Sequence, residues 1–165
     1  MNKKINEKMK TLKGRFKIFL YPAKERENYQ NYLVVDQKNL IVTTGKTLVR
    51  DLISGTSALN LQSFAVGTGT TTPAVGDTGL ETAVKYDATN TYKVFLEYTN
   101  VSATKVTFVG YLASTEPDTQ PVDITEIGLF TGTLLTAGIM YCHATFDAIT
   151  KTTALELRIE YSLEF

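Results

Sequence analysis

The sequence of 165 residues has no tryptophan, one cysteine, one histidine and four prolines. A lone cysteine, Cys142, allows no disulfide within the chain, so stability has to come from a packed core. One histidine and one cysteine are too few to build a zinc site. His143 would also have to serve any Ser-His arrangement, and there is no G-x-S-x-G. Cys142 and His143 are neighbours, and neighbours on a strand point to opposite faces, which keeps them from working as nucleophile and base. Both are read as structural. The missing tryptophan weakens the case for a sugar-stacking platform, while paired carboxylates for glycoside cleavage stay open at this stage.

Long apolar runs are missing too. Nothing approaches the roughly 20 apolar residues of a membrane-spanning helix. The basic N-terminus is followed only by Phe16 to Tyr21, broken by Lys17, where a secretion signal needs roughly 7–15 apolar residues. The expectation is synthesis in a cytoplasm without a signal, and no membrane partner. No heptad stretch offers a coiled coil, and no repeat or linker divides the chain.

The net charge is zero, but it is unevenly spread. Up to Arg26 there are nine lysines and arginines against Glu7 and Glu25; beyond it, eight basic residues face fifteen acidic ones. A head near +7 is joined to a body near −7. Lys3, Lys4, Lys8, Lys10 and Lys13 repel one another in an isolated helix, yet Ile5, Met9 and Leu12 fall at helical spacing. Two readings stand: a solvated tail, or an arm of residues 1–13 that docks on an acidic surface such as a neighbouring copy's body. Thirteen extended residues reach roughly 40 Å. Nucleic acid is ranked behind both as a partner, because the acidic body opposes close approach.

What is present is strand. In "ALELRIEYSLEF", Leu155, Leu157, Ile159, Tyr161, Leu163 and Phe165 alternate with polar residues, which predicts a strand with one buried face. Further strands are expected in "GRFKIFLY", "NYLVVDQ", "QSFAVG", "YKVFLEYT", "TKVTFVGYL", "ITEIGLF" and "AGIMYCHATF". One helix is expected, in "TTGKTLVRDLISG". Leu48, Val49, Leu52 and Ile53 form its apolar face, Thr43 or Thr44 caps it, and Gly55 ends it. Together these predict a mainly β chain: a single antiparallel β-sandwich of about eight strands with one inserted helix, over residues 14–165.

Two stretches resemble phosphate loops and fail on inspection. "NLIVTTGKTLVRDLI" runs from a strand through Gly45-Lys46-Thr47 into a helix, but the motif needs glycine five residues before Gly45, where Leu40 stands. Lys46 is then an exposed residue of the first helical turn. In "LQSFAVGTGTTTPAVGDTGLE", Gly67 and Gly69 give G-x-G, but Thr72 occupies the third glycine position of a dinucleotide fingerprint. Gly67, Gly69, Pro73, Gly76 and Asp77 are read as shaping a structural loop, with Leu80 and Val84 turned inward. An oxygen-only metal site from Asp118, Asp123 and Glu126 is conceivable, but a solvated acidic loop is the simpler reading. No cofactor, metal or catalytic residue is assigned. In "ITEIGLF", Ile124, Ile127 and Leu129 break strict alternation, which predicts a bulge near Glu126 or Gly128. A buried Glu126 would need backbone N–H partners.

"NLIVTTGKTLVRDLISG", "FAVGTGTTTPAVGDTGLETAV" and "ITEIGLF", followed by a closing alternating strand, resemble in that order small virion structural proteins of tailed bacteriophages. More distantly they resemble the N-terminal domain of phage tail-collar fibre proteins. The likeness runs from about Asn39 to Phe165. It implies a non-enzymatic assembly role at the tail, baseplate or fibre attachment site of a virion. Its partners would be tail, baseplate or major capsid proteins and further copies of itself, a trimer being the expected state. A capsid decoration protein is the alternative, and a host-surface carbohydrate-binding module a further one.

Overall fold

The computed structural model describes residues 12–57, 59–95, 97–132 and 138–164. Lys3, Lys4, Ile5, Lys8, Met9 and Lys10 of the arm, and Phe165 of the last strand, lie outside the described residues. The chain is mainly β, in two antiparallel sheets. In order come β1 (Lys13–Pro22), a 3-10 segment (Ala23–Tyr32), β2 (Leu33–Lys38), β3 (Leu40–Ile41), α1 (Thr43–Ile53), β4 (Ser63–Gly67), β5 (Ala83–Val84) and β6 (Lys93–Val94). Then follow β7 (Glu97–Ser102), β8 (Lys105–Leu112), β9 (Val122–Phe130), β10 (Met140–Lys151) and β11 (Leu155–Glu164). The first sheet has the order β2-β1-β11-β8-β7; the second has β3-β10-β9-β4-β5, with β6 also on β4.

The closing strand is central. β11 lies between β1 and β8, and Leu157, Ile159, Tyr161 and Leu163 are buried, while Leu155 at its start is half-buried. These side chains share one apolar cluster with Phe16 and Ile18 of the first sheet and with Phe64, Ile127, Leu129 and Tyr141 of the second. The Tyr141 and Tyr161 rings meet edge to face, 6.3 Å apart, across the two sheets. Gly110 of β8 is small for the same reason: a Cβ there would sit 2.6 Å from the Phe64 ring.

Several expectations need correction. The polar side of β11 is not simply wet: Glu156 is buried beneath the 3-10 segment, which the sequence pattern did not suggest. Arg26 from that segment donates to both Glu156 oxygens, at 3.0 and 2.6 Å, and holds its carboxyl below the usual range against the cost of burial. Leu12 and Lys13, grouped with the arm, belong to the body: Leu12 packs on the core and Lys13 pairs with Glu164. The "YKVFLEYT" strand is two strands, β6 and β7.

The helix is where it was expected, but its buried face is not. Gly45 and Leu48 are buried, whereas Leu52 and Ile53 are exposed. Thr44 caps nothing; its hydroxyl donates to the Met140 carbonyl at 2.7 Å. Gly55 does follow the helix with a positive φ of 70°, as a left-handed end requires. The glycine that imitates a phosphate loop is a packing glycine: a Cβ on Gly45 would lie 2.0 Å from the Tyr141 carbonyl oxygen of β10. Lys46 is exposed.

Candidate functional site

β4 ends at Gly67, and residues 68–82 pass across β9 and β10 of the second sheet, reaching Glu126, His143 and the Thr43 N–H, before β5 returns to β4. A segment with so little regular structure has many backbone groups to satisfy. Three carboxylates accept six of its N–H groups.

Glu126 projects from β9 and is fully buried. Its Oε1 accepts the N–H of Gly69 at 2.9 Å and of Thr82 at 2.8 Å, and its Oε2 accepts the N–H of Glu81 at 3.0 Å. One side chain thus ties both ends of the loop to the sheet. Glu81 ties the near end to itself: its Oε2 accepts the N–H groups of Thr70 and Thr71, both at 2.9 Å, and its Oε1 accepts the Thr71 hydroxyl at 2.8 Å. The Thr71 N–H and hydroxyl lower the Glu81 pKa from its ordinary 4.5. Asp77 closes the tip: its Oδ2 accepts the Ala74 N–H at 2.8 Å. Burial pushes the Asp77 carboxyl up, but hydrogen bonds from His143 and Ala74 outweigh it and the net shift is down.

His143, buried on β10, joins two of these carboxylates. Its Nδ1 lies 2.8 Å from Asp77 Oδ2 and its Nε2 3.0 Å from Glu126 Oε2. Both ring nitrogens lie within hydrogen-bond distance of a carboxylate oxygen. Neither nitrogen is left to take a proton from a substrate. Cys142 points the other way, into the apolar cluster that both sheets feed, and burial drives its thiol pKa far up, away from the reactive thiolate.

The glycines follow from this geometry. A Cβ on Gly67 would lie 2.3 Å from Glu126 Oε1, and one on Gly69 would lie 2.6 Å from it. The carboxylate occupies the space that any side chain would need. Gly76 is different: it faces open space and has no positive φ, so nothing in the structure requires glycine there. Pro73 is half-buried in the loop, and Leu80 and Val84 pack on the two apolar clusters.

The alternation break in β9 has its cause on the neighbouring strand. β9 pairs with β4 in unbroken register from Gly67↔Glu126 to Ser63↔Phe130. β10 is the irregular partner: Thr145 faces Glu126 but Ile149 faces Ile124, and a second shift separates Met140 from Cys142. The extra residues lie on β10. From Ile124 to Phe130 every residue of β9 is buried, so both faces carry core residues and strict alternation has no meaning there. Of the oxygens considered for a metal, Glu126 is committed to the loop and Asp123 accepts the Thr150 hydroxyl at 2.6 Å.

Sequence reasoning named Gly67, Gly69, Asp77 and Glu126 but missed Glu81 and the bridging role of His143. The available signal was a carboxylate shortly after a threonine-rich turn, the pattern of a side chain returning to cap backbone N–H groups. Beside the loop lies an open cleft of about 580 Å³, lined by Gln37, Thr70, Thr125, Thr145, Phe146 and Asp147. Comparison of the chain with family models and with curated proteins found no match in either.

Proposed function

We propose that this chain is a non-enzymatic structural protein of a tailed-phage virion, sited at the tail, baseplate or fibre attachment point. The observation that carries the reading is the convergence of the phage-like motifs on one knot. Gly69, Glu81 and Thr82 of the glycine-rich motif donate their backbone N–H groups to Glu126 of "ITEIGLF", Gly67 leaves that carboxylate room, and Asp77 is joined to it through His143. Residues so used fix a fold and a surface, which is what an assembly part needs. The resemblance to small virion proteins and to tail-collar fibre domains points the same way. In this reading the two sheets pack face to face as a sandwich, and the partners are tail, baseplate or capsid proteins and further copies of the chain.

Gold-labelled antibody against the chain, applied to particles from cells expressing the gene in its native genome, tests the reading. Label at the tail or its tip is expected. Label distributed over the head would favour the decoration role, and unlabelled particles would refute the assignment. A carbohydrate-binding role is the second reading, supported by the polar cleft with Phe146 on its wall.

A further inference from the structure

β7 is exposed at all six of its positions, on both faces. It bonds to β8 on one side and has no strand on the other among the described residues, so a row of N–H and C=O groups is free along that edge. The other edges are blunted. β3, β5 and β6 are two residues long, and β2 is held toward the second sheet by the Gln37 side chain on the Thr145 carbonyl. β7 reads EYTNVS, with no proline or lysine to repel a partner strand. Its bulge lies at the turn end, and Glu97 to Asn100 pair with β8 in unbroken register.

The surface next to that edge is aromatic. A row runs from buried Tyr161 through Phe108 to Tyr98, which is 70% exposed, with Phe95 5.3 Å from Phe108. Tyr98, Phe95, Phe108, Leu61 and Val94 line a hollow of about 550 Å³. An open edge and an uncovered aromatic face therefore share one strand.

We propose that a second copy of this chain occupies both, β7 against β7, antiparallel about a two-fold axis perpendicular to the sheet. That operation keeps the two inner faces on the same side, so both Tyr98 rings extend one continuous aromatic surface. The charges agree with it. Glu97, 57% exposed and 3.9 Å from Arg158 of its own chain, lies at one end of β7, and Lys105 sits opposite Ser102 at the other. Antiparallel pairing brings each Glu97 toward the partner's Lys105, twice by symmetry. The inference deepens the virion reading by naming a self-association surface, and it rests on that reading only for its biological setting.

Sedimentation equilibrium on the purified full chain at micromolar concentration is the test. Twice the chain mass is expected. Tyr98→Lys should give the single-chain mass with an unchanged melting temperature, and Thr99→Lys serves as the second variant. Glu97→Lys should weaken association about tenfold, and Lys105→Glu in the same chain should restore it. A monomeric wild type, or an oligomer that survives both lysine variants, would overturn the pairing. If such a wild type is nevertheless found in particles, the β7 proposal fails and the virion reading stands.

Discussion

Replacing Glu126 with alanine removes the acceptor of three backbone N–H groups at once, those of Gly69, Glu81 and Thr82. It also leaves the buried His143 without one of its two carboxylates. An unsatisfied buried polar group costs about 1–3 kcal/mol, but the exposed parts of the loop recover some of this from water. The expected loss is about 3 kcal/mol of unfolding free energy, read from urea denaturation. The amides of residues 68–82 should exchange much faster while those of β11 stay protected. A variant with wild-type stability and unchanged loop exchange would show that the carboxylate does not hold the loop. The same residue explains why Gly67 and Gly69 could be read as phosphate-loop glycines. The sequence shows only that glycine stands at both positions; the structure shows that the protein's own carboxylate fills the space a side chain would need.

β11 shows how far pattern alone reaches at the scale of an element. Its period of two identified the buried residues Leu157, Ile159, Tyr161 and Leu163, because one side of a central strand has to be apolar. Pattern did not reveal that Glu156 is also covered, since the 3-10 segment above it has few apolar residues and is held by Arg26. The helix failed in the same way. Apolar spacing located it, but Leu52 and Ile53 are exposed: the helix sits against β10 at Gly45 and sends Leu48 into the core cluster. β9 was legible as a strand but not as one buried on both faces, for Glu126 is polar and buried by loop N–H groups rather than by apolar neighbours. Deleting Ser162 to Phe165 tests the place of β11. It removes Leu163, worth about 1.5–3 kcal/mol when buried, and the ladder pairs of Ser162 and Glu164 with both flanking strands. Small domains are stable by only about 5–15 kcal/mol, so the truncated chain should melt far lower or be insoluble. An unchanged melting temperature would contradict a central role for the end of β11.

The molecule as a whole joins a core fed by both sheets, a loop locked by its own carboxylates, and a strongly basic head before an acidic body. Among the buried polar groups, Lys151, its pKa lowered by burial to about 8, donates to the Thr152 carbonyl at 3.0 Å. In the proposed reading such a body is a fixed part of a virion, and its β7 edge joins copies of itself. Quantitative mass spectrometry of purified particles, counting this chain against the major capsid protein, tests that central claim most directly. The account predicts a fixed copy number per particle in a small symmetric multiple, with six satisfying both tail symmetry and pairing through β7. Absence of the chain from particles, or traces that vary from one preparation to the next, would contradict it.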